Sequence, residues 1–263
     1  MNWEKELCID ENEKPLDRLV EGYSNTSIFR KIAFVGDSLS SGEFETLKPD
    51  GKKGYHDIYE YSWGQFIARR NGLTAYIFSK GGMRARQYME SFAEQKGFWN
   101  PELACQAYVI ALGCNDFNHK VEVGSIDDID KDDWRNNKPT FIGDMAAIVQ
   151  RYKEISPDAK FFFVTMPASS DPVKVKERHE PQAAACYALA EYFENSYVID
   201  LFKYLPVQDD DFKAKFYLHS HMNPMGYIFI AKVVDSYIDY IIRHNPDDFK
   251  HVGFINSGIE YKF

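Results

Sequence analysis

The sequence predicts an α/β fold, a three-layer α/β/α sandwich around a mostly parallel five-stranded sheet. Three observations point there. Five short apolar runs, rich in β-branched and aromatic residues, read as buried strands. Helical patterns alternate with them, the mark of βαβ units with right-handed crossovers. The chain has 263 residues, 44% of them apolar, which is enough to bury a sizeable core in one large domain.

The strands are expected at 32–35, 75–78, 108–112, 160–165 (KFFFVT) and 197–201 (YVIDL). Each is bounded by Gly, Pro, Asp or Ser, and near-continuous apolar runs suit a parallel sheet covered on both faces. A first helix is expected over 61–70 and stops at Asn71-Gly72, a C-cap signal. The segment 141–155 places Phe141, Met145, Ile148 and Tyr152 on one stripe before Pro157. The helix over 181–193 opens with Pro181. The longest, 225–243, turns Ile228, Ala231, Val234, Tyr237, Ile238 and Ile241 inward. We read one domain over 1–263, with a core of about 30–243 and terminal extensions packing on it.

Two stretches break the alternation. The first, 41–59 (SGEFETLKPDGKKGYHDIY), reads as a long, polar, Gly-rich loop, and the second, 114–139, is strongly acidic. Both begin just after strand ends. In parallel sheets ligands bind beyond the strand C-termini, and loops this long are often functional.

The balance of 31 basic against 40 acidic residues gives a net charge of -9. Such a surface repels phosphate backbones, so no nucleic-acid partner is expected. On average a neutral substrate fits better than a polyanion, although a local patch could override the average. Cys8, Cys105, Cys114 and Cys186 form no CxxC pair and no metal-ligand spacing, which fits a reducing compartment. The N-terminal stretch MNWEKELCIDENEKPLDRL is charged throughout, with no apolar run for a signal peptide or a membrane span. A cytoplasmic location with no membrane partner is the expectation. The oligomeric state is left open; the aromatic-rich tail 249–263 has the composition to pack on a neighbour or on its own domain.

Four polar signals follow strands one, two and three or precede the last helix. Gly36-Asp37-Ser38-Leu39-Ser40 follows the first strand, where a helix N-terminus would aim N–H groups at a developing negative charge. Taken alone it reads equally as a strand-end turn with Ser38 as a cap. Gly81-Gly82 follows the second strand and lets the backbone approach a ligand closely. Gly113-Cys114-Asn115-Asp116 follows the third; the Asn side chain there could donate to an oxyanion, or simply form a polar turn. His221-Met222-Asn223-Pro224 precedes the last helix, placing an imidazole where a general base could work. Each is modest by itself. Their order brings all four to one crevice.

This set resembles the SGNH (GDSL-like) hydrolase family, named for Ser, Gly, Asn and His in four sequence blocks. GDSLS at 36–40, SKGG at 79–82, GCND at 113–116 and HMNPMGY at 221–227 carry the likeness, which spans most of the chain. The resemblance implies the flavodoxin-like SGNH hydrolase fold and a serine esterase that needs neither cofactor nor metal. It implies Ser38 as nucleophile and His221 as base. The Ser38 and Gly82 N–H groups and the Asn115 amide would form the oxyanion hole, with Gly81 as the alternative to Gly82. Asp37, Asp116 and His219 are taken as substrate-binding. The implied substrate is a small-molecule or oligosaccharide ester, with acetyl on a sugar as first choice. Tyr55, Tyr59, Trp63, Trp99 and Trp134 are candidates to stack on sugar faces.

One departure stands out. The family's last block usually reads Asp-x-x-His, and Leu218 occupies the acid's place. In a serine triad the acid holds the imidazole in the right tautomer. The preferred reading is a Ser–His dyad with a backbone carbonyl orienting His221. Asp200, or a carboxylate from the acidic loop, would be a substitute acid. A weak or inactive scaffold or carbohydrate-binding protein is the remaining alternative. His219 lies two residues from His221, so a two-His metal site is conceivable but lacks a third ligand. A Cys114 nucleophile is less favoured than a small buried thiol. G-x-S-x-G, P-loop, G-x-G-x-x-G and H-E-x-x-H motifs are absent.

Overall fold

The computed structural model describes residue 10 and residues 12–259. Cys8 and the last four positions of the 249–263 tail lie outside the described residues. Strands β1 (Lys31–Gly36), β4 (Thr74–Ser79), β5 (Ala107–Ala111), β6 (Lys160–Val164) and β7 (Ser196–Ile199) form one sheet in the order β4-β1-β5-β6-β7. All four pairings are parallel, with Ile32 opposite Ala75 and Ala107. The expected α/β/α sandwich is therefore the fold.

The apolar runs are buried because the sheet is covered twice. Period-2 alternation sends Ala33 and Val35 to one face and Ile32 and Phe34 to the other. Ala33 and Val35 pack in a cluster with helices α4 (Phe141–Ile155) and α5 (Glu180–Tyr192). Ile32 and Phe34 pack with α2 (Trp63–Asn71) and α7 (Pro224–His244). The helix ends follow local chemistry. Ser62 and Thr140 cap α2 and α4 by accepting from the N–H groups of Gln65 and Gly143, and Gly72 ends α2 in the left-handed conformation. Ile228, expected inward on α7, is 38% exposed; the buried stripe runs instead through Tyr227, Ile230 and Val234.

The stretch expected as a loop at 41–59 is largely an antiparallel hairpin. Strands β2 (Glu43–Leu47) and β3 (Lys53–Asp57) pair Glu45 with Tyr55. Phe44 anchors it, with its ring 5.9 Å from Tyr227 and 5.2 Å from Tyr61. The acidic stretch holds a short helix, α3 (Cys114–Asn118), and two 3-10 turns. A second, two-residue hairpin, β8 (Tyr217–Leu218) with β9 (His221–Met222), comes just before α7 and follows helix α6 (Asp210–Phe216).

The chain leaves β1, builds β4 on one side, then crosses to β5 on the other. Strands β1 and β5 thus flank the point where the winding reverses, where a crevice opens beyond the strand ends. Helix α1 (Ser38–Ser41) starts directly above β1 and α3 directly above β5.

Candidate active site

Ser38 is the first residue of α1, so its N–H has no acceptor inside the helix. Asp37 caps the helix, its Oδ1 accepting from Leu39 N–H at 3.1 Å. Across the crevice, Asn115 occupies the first turn of α3. Its amide donates to the Met83 carbonyl at 3.1 Å and lies 3.4 Å from Asp37 Oδ2. Ser38, Asn115 and His221 line one open cavity of about 450 Å³. Gly82 stands outside that lining, on the turn after β4 with φ 75°. The neighbouring Gly81 N–H is committed to Asp57 Oδ1 at 3.1 Å, whereas Gly82 N–H meets no acceptor among the described residues.

Asp37 and Asp116, expected at the substrate, are outside that lining and buried, 3% and 1% exposed. Asp116 accepts from Ala85 N–H at 3.0 Å and so ties the α3 turn to the segment after β4. Burial, only partly offset by the Leu39 N–H, pushes the Asp37 carboxyl up to about 7. Burial likewise raises Asp116. His219 takes the left-handed turn of the β8–β9 hairpin at φ 58° and is exposed. It therefore does not share an extended face with His221, which removes the geometric basis for a two-His site. Burial pushes the Cys114 thiol up to about 11, against activation as a nucleophile.

The surroundings of His221 differ from the expected dyad. Its Nε2 lies 2.9 Å from Glu43 Oε1, and its Nδ1 lies 3.5 Å from Glu45 Oε2. Ser220 links the second pair. Its hydroxyl hydrogen-bonds Glu45 Oε2, its N–H donates to the same oxygen at 3.0 Å, and its Oγ is 3.1 Å from Nδ1. No backbone carbonyl meets the ring among the described residues. Asp200 is occupied elsewhere, accepting from Thr165 and Tyr187 hydroxyls at 3.1 and 2.7 Å. Leu218, in the place of the family's acid, is 40% exposed in β8.

Both carboxylates come from β2, where alternation points Glu43 and Glu45 one way and Phe44 the other. Lys53 pairs with Glu45 at 2.5 Å from the adjacent strand. The environment of Glu45 is split. Burial raises its pKa, but bonds from Lys53 and Ser220 dominate and hold it down to about 2. Burial would lower His221, yet hydrogen bonds and charge from Glu43 and Glu45 raise it above its ordinary value. Gly81 makes room for this arrangement: a Cβ there would fall 1.7 Å from Glu43 Oε2. Sequence reasoning missed both glutamates. The Glu-Phe-Glu alternation at 43–45 was the available signal for a strand with one polar face.

Of the aromatic candidates, Tyr55 stands by the site, 53% exposed with its ring 5.6 Å from that of His221. Tyr59 is also exposed. Trp63 is core, 4.9 Å from the Phe34 ring, and Trp99 packs on Tyr152 at 4.7 Å. Trp134 stacks under the Arg135 guanidinium at 4.6 Å.

Comparison with known proteins accords with this architecture. No curated protein matches the chain by sequence. Among solved structures, a carbohydrate esterase family 2 enzyme with a carbohydrate-binding domain, from Corynascus thermopiles (Myceliophthora fergusii), superposes with TM-score 0.57 at 18% identity. That match covers 85% of this chain and 68% of the other. Est24, a carbohydrate acetylesterase from Sinorhizobium meliloti, gives TM-score 0.55 at 13% identity over 81% and 99% of the two chains. A family two carbohydrate esterase from Clostridium thermocellum, in complex with cellohexaose, gives 0.54 at 15% over 86% and 67%. At these identities the likeness is one of fold. The sequence model of the GDSL-like lipase/acylhydrolase family matches residues 34–228, most of the chain, and the chain belongs to that family.

Proposed function

We propose that the protein is a serine esterase that cleaves a short-chain acyl ester, acetyl in the first instance, from a carbohydrate. The observation that carries this reading is the convergence of Ser38, Asn115 and His221 on one cavity from three separate elements. Ser38 Oγ attacks the acyl carbonyl while His221 takes its proton. The Ser38 and Gly82 N–H groups and the Asn115 amide receive the oxyanion. Collapse expels the sugar hydroxyl, which takes the proton from His221. Water, activated by the same imidazole, then releases the acid and restores Ser38.

Glu45 supplies what Leu218 does not. The Ser220 hydroxyl has one proton; given to Glu45, it leaves the Ser220 oxygen to accept from Nδ1–H. That fixes the tautomer with the lone pair on Nε2, the nitrogen that must leave Glu43 to serve Ser38, the task of a triad acid. Glu43 acts on the other nitrogen. A charged imidazolium donates from both nitrogens and docks Nε2 on Glu43. Loss of the Nε2 proton breaks that attraction and frees the ring for Ser38.

The sugar assignment is supported by exposed Tyr55 beside His221 and by the carbohydrate esterases that share the fold. Ser38→Ala should abolish hydrolysis of p-nitrophenyl acetate, and a fluorophosphonate should label Ser38 in the intact protein. Undiminished activity in Ser38→Ala sinks the mechanism. Activity confined to long acyl chains sinks the acetyl-sugar assignment.

A further inference from the structure

We infer that the substrate carries a negative charge, a carboxylate or phosphate on its alcohol part, bound in the cavity beyond Ser38. This deepens the esterase reading and rests on it. The lining includes the cations Lys174, Arg178 and Lys213, together with His179, whose imidazole burial holds towards the neutral form. Among the described residues no Asp or Glu lines the cavity, although acids exceed bases by nine over the whole chain. A surface drawn at random from so acidic a protein would mix in carboxylates.

The cations are also little used by the fold. Lys174 has only a 3.9 Å contact with Asp171, and Arg178 and Lys213 form no ion pair among the described residues. Arg178 reaches the Cys114 carbonyl at 3.4 Å through one terminal nitrogen, while its buried Nε has no partner. Two further lining groups are buried and unpartnered: Gln208 Nε2, on a residue 9% exposed, and His179 Nδ1, on one 8% exposed. Buried donors are normally satisfied, so the unpaired N–H groups of Arg178 and Gln208 beside the cavity mark a place for an acceptor. A guanidinium with free N–H groups matches planar carboxylate and tetrahedral phosphate oxygens. The cavity, about 450 Å³, is far larger than an acetyl group requires, which assigns the charge to the alcohol part.

The test uses the full chain. Initial rates are compared for O-acetylated methyl glucuronoside, O-acetylated glucose 6-phosphate and O-acetylated methyl glucoside. The kcat/KM ratio of charged to neutral ester should exceed about ten and shrink as salt is added. Which of the two anions is preferred identifies the charged group. Arg178→Gln with Lys213→Gln should bring the ratio towards one, and Arg178→Lys should recover part of it. Calorimetry with D-glucuronate, D-glucose 6-phosphate and D-glucose reads the same subsite without turnover. A ratio at or below one, together with no preference for either anion over glucose in binding, overturns the inference. Anion binding without hydrolysis of any ester would keep the subsite and sink the esterase reading instead.

Discussion

Glu45 stands behind His221, its Oε2 3.5 Å from the ring Nδ1, although 176 positions separate them in the chain. The contact is tightened by Ser220, which gives both its N–H and its hydroxyl to that oxygen. A buried carboxylate with two donors and a lysine at 2.5 Å is fixed in place. Glu45→Gln should therefore lower kcat/KM for p-nitrophenyl acetate by roughly 100- to 10,000-fold, with little change in KM, as loss of the orienting acid does in serine triads. Steady-state kinetics on the purified variant checks this. A full rate would leave His221 oriented without Glu45.

The charge around His221 sets a pH dependence. Glu43 and Glu45 raise the imidazole pKa above 6.5, and a base must be neutral to accept a proton. The acid limb of kcat/KM should then fall above pH 6.5, and Glu43→Gln should move it down. The stability linkage has the opposite sense. A raised folded pKa stabilises the fold fully below the unfolded value near 6.5, and that contribution is lost as pH rises through the folded pKa. Activity should rise over the same interval in which this contribution fades. An acid limb unmoved by Glu43→Gln would separate Glu43 from the titration.

The two glycines after β4 should respond differently. Gly82→Ala meets no atom within 4 Å but must hold φ 75°, costing about 1 kcal/mol or more while displacing the N–H assigned to the oxyanion. Its effect should be on kcat, up to ~100-fold. Gly81→Ala has no positive φ to hold but drives a methyl into the Glu43 carboxylate. It should mimic Glu43→Gln, moving the acid limb rather than the plateau. Paired pH profiles of the two variants distinguish these outcomes.

The sheet was legible because burial on both faces forces long apolar runs: the five expected strands all lie within a residue or two of the observed ones. Helices α2, α4, α5 and α7 were legible through their stripes and caps. The β2–β3 hairpin was not. Its strands are half-polar, paired only with each other, and punctuated by Asp50 and Gly51, so composition made it read as a loop. That concealed Glu43 and Glu45, whose meaning depends on a partner in β9. The cationic cavity was hidden for a similar reason. Lys174, Arg178 and Lys213 come from two distant segments, and a chain-wide charge of -9 averages them away.

Asp235 should matter for stability rather than chemistry. It is fully buried on α7 and accepts from the Ser24 hydroxyl at 2.7 Å, Asn71 Nδ2 at 3.0 Å and Arg70 at 3.4 Å. These bonds tie the segment before β1 and the end of α2 to the longest helix. Asp235→Ala would strand a buried Asn71 N–H, leave the Ser24 hydroxyl only Asn71 Oδ1 at 3.2 Å as acceptor, and leave the partly buried Arg70 without its counter-charge. Removing one partner of such a buried, charged network costs about 3–5 kcal/mol. For a chain of this size that corresponds to a Tm roughly 6–20 °C lower. Asp235→Asn keeps an acceptor for Ser24 and should lose less. Thermal unfolding of the two variants, followed by circular dichroism, provides the measurement. Equal Tm values for both variants and the parent would show that the network is not what joins these three segments.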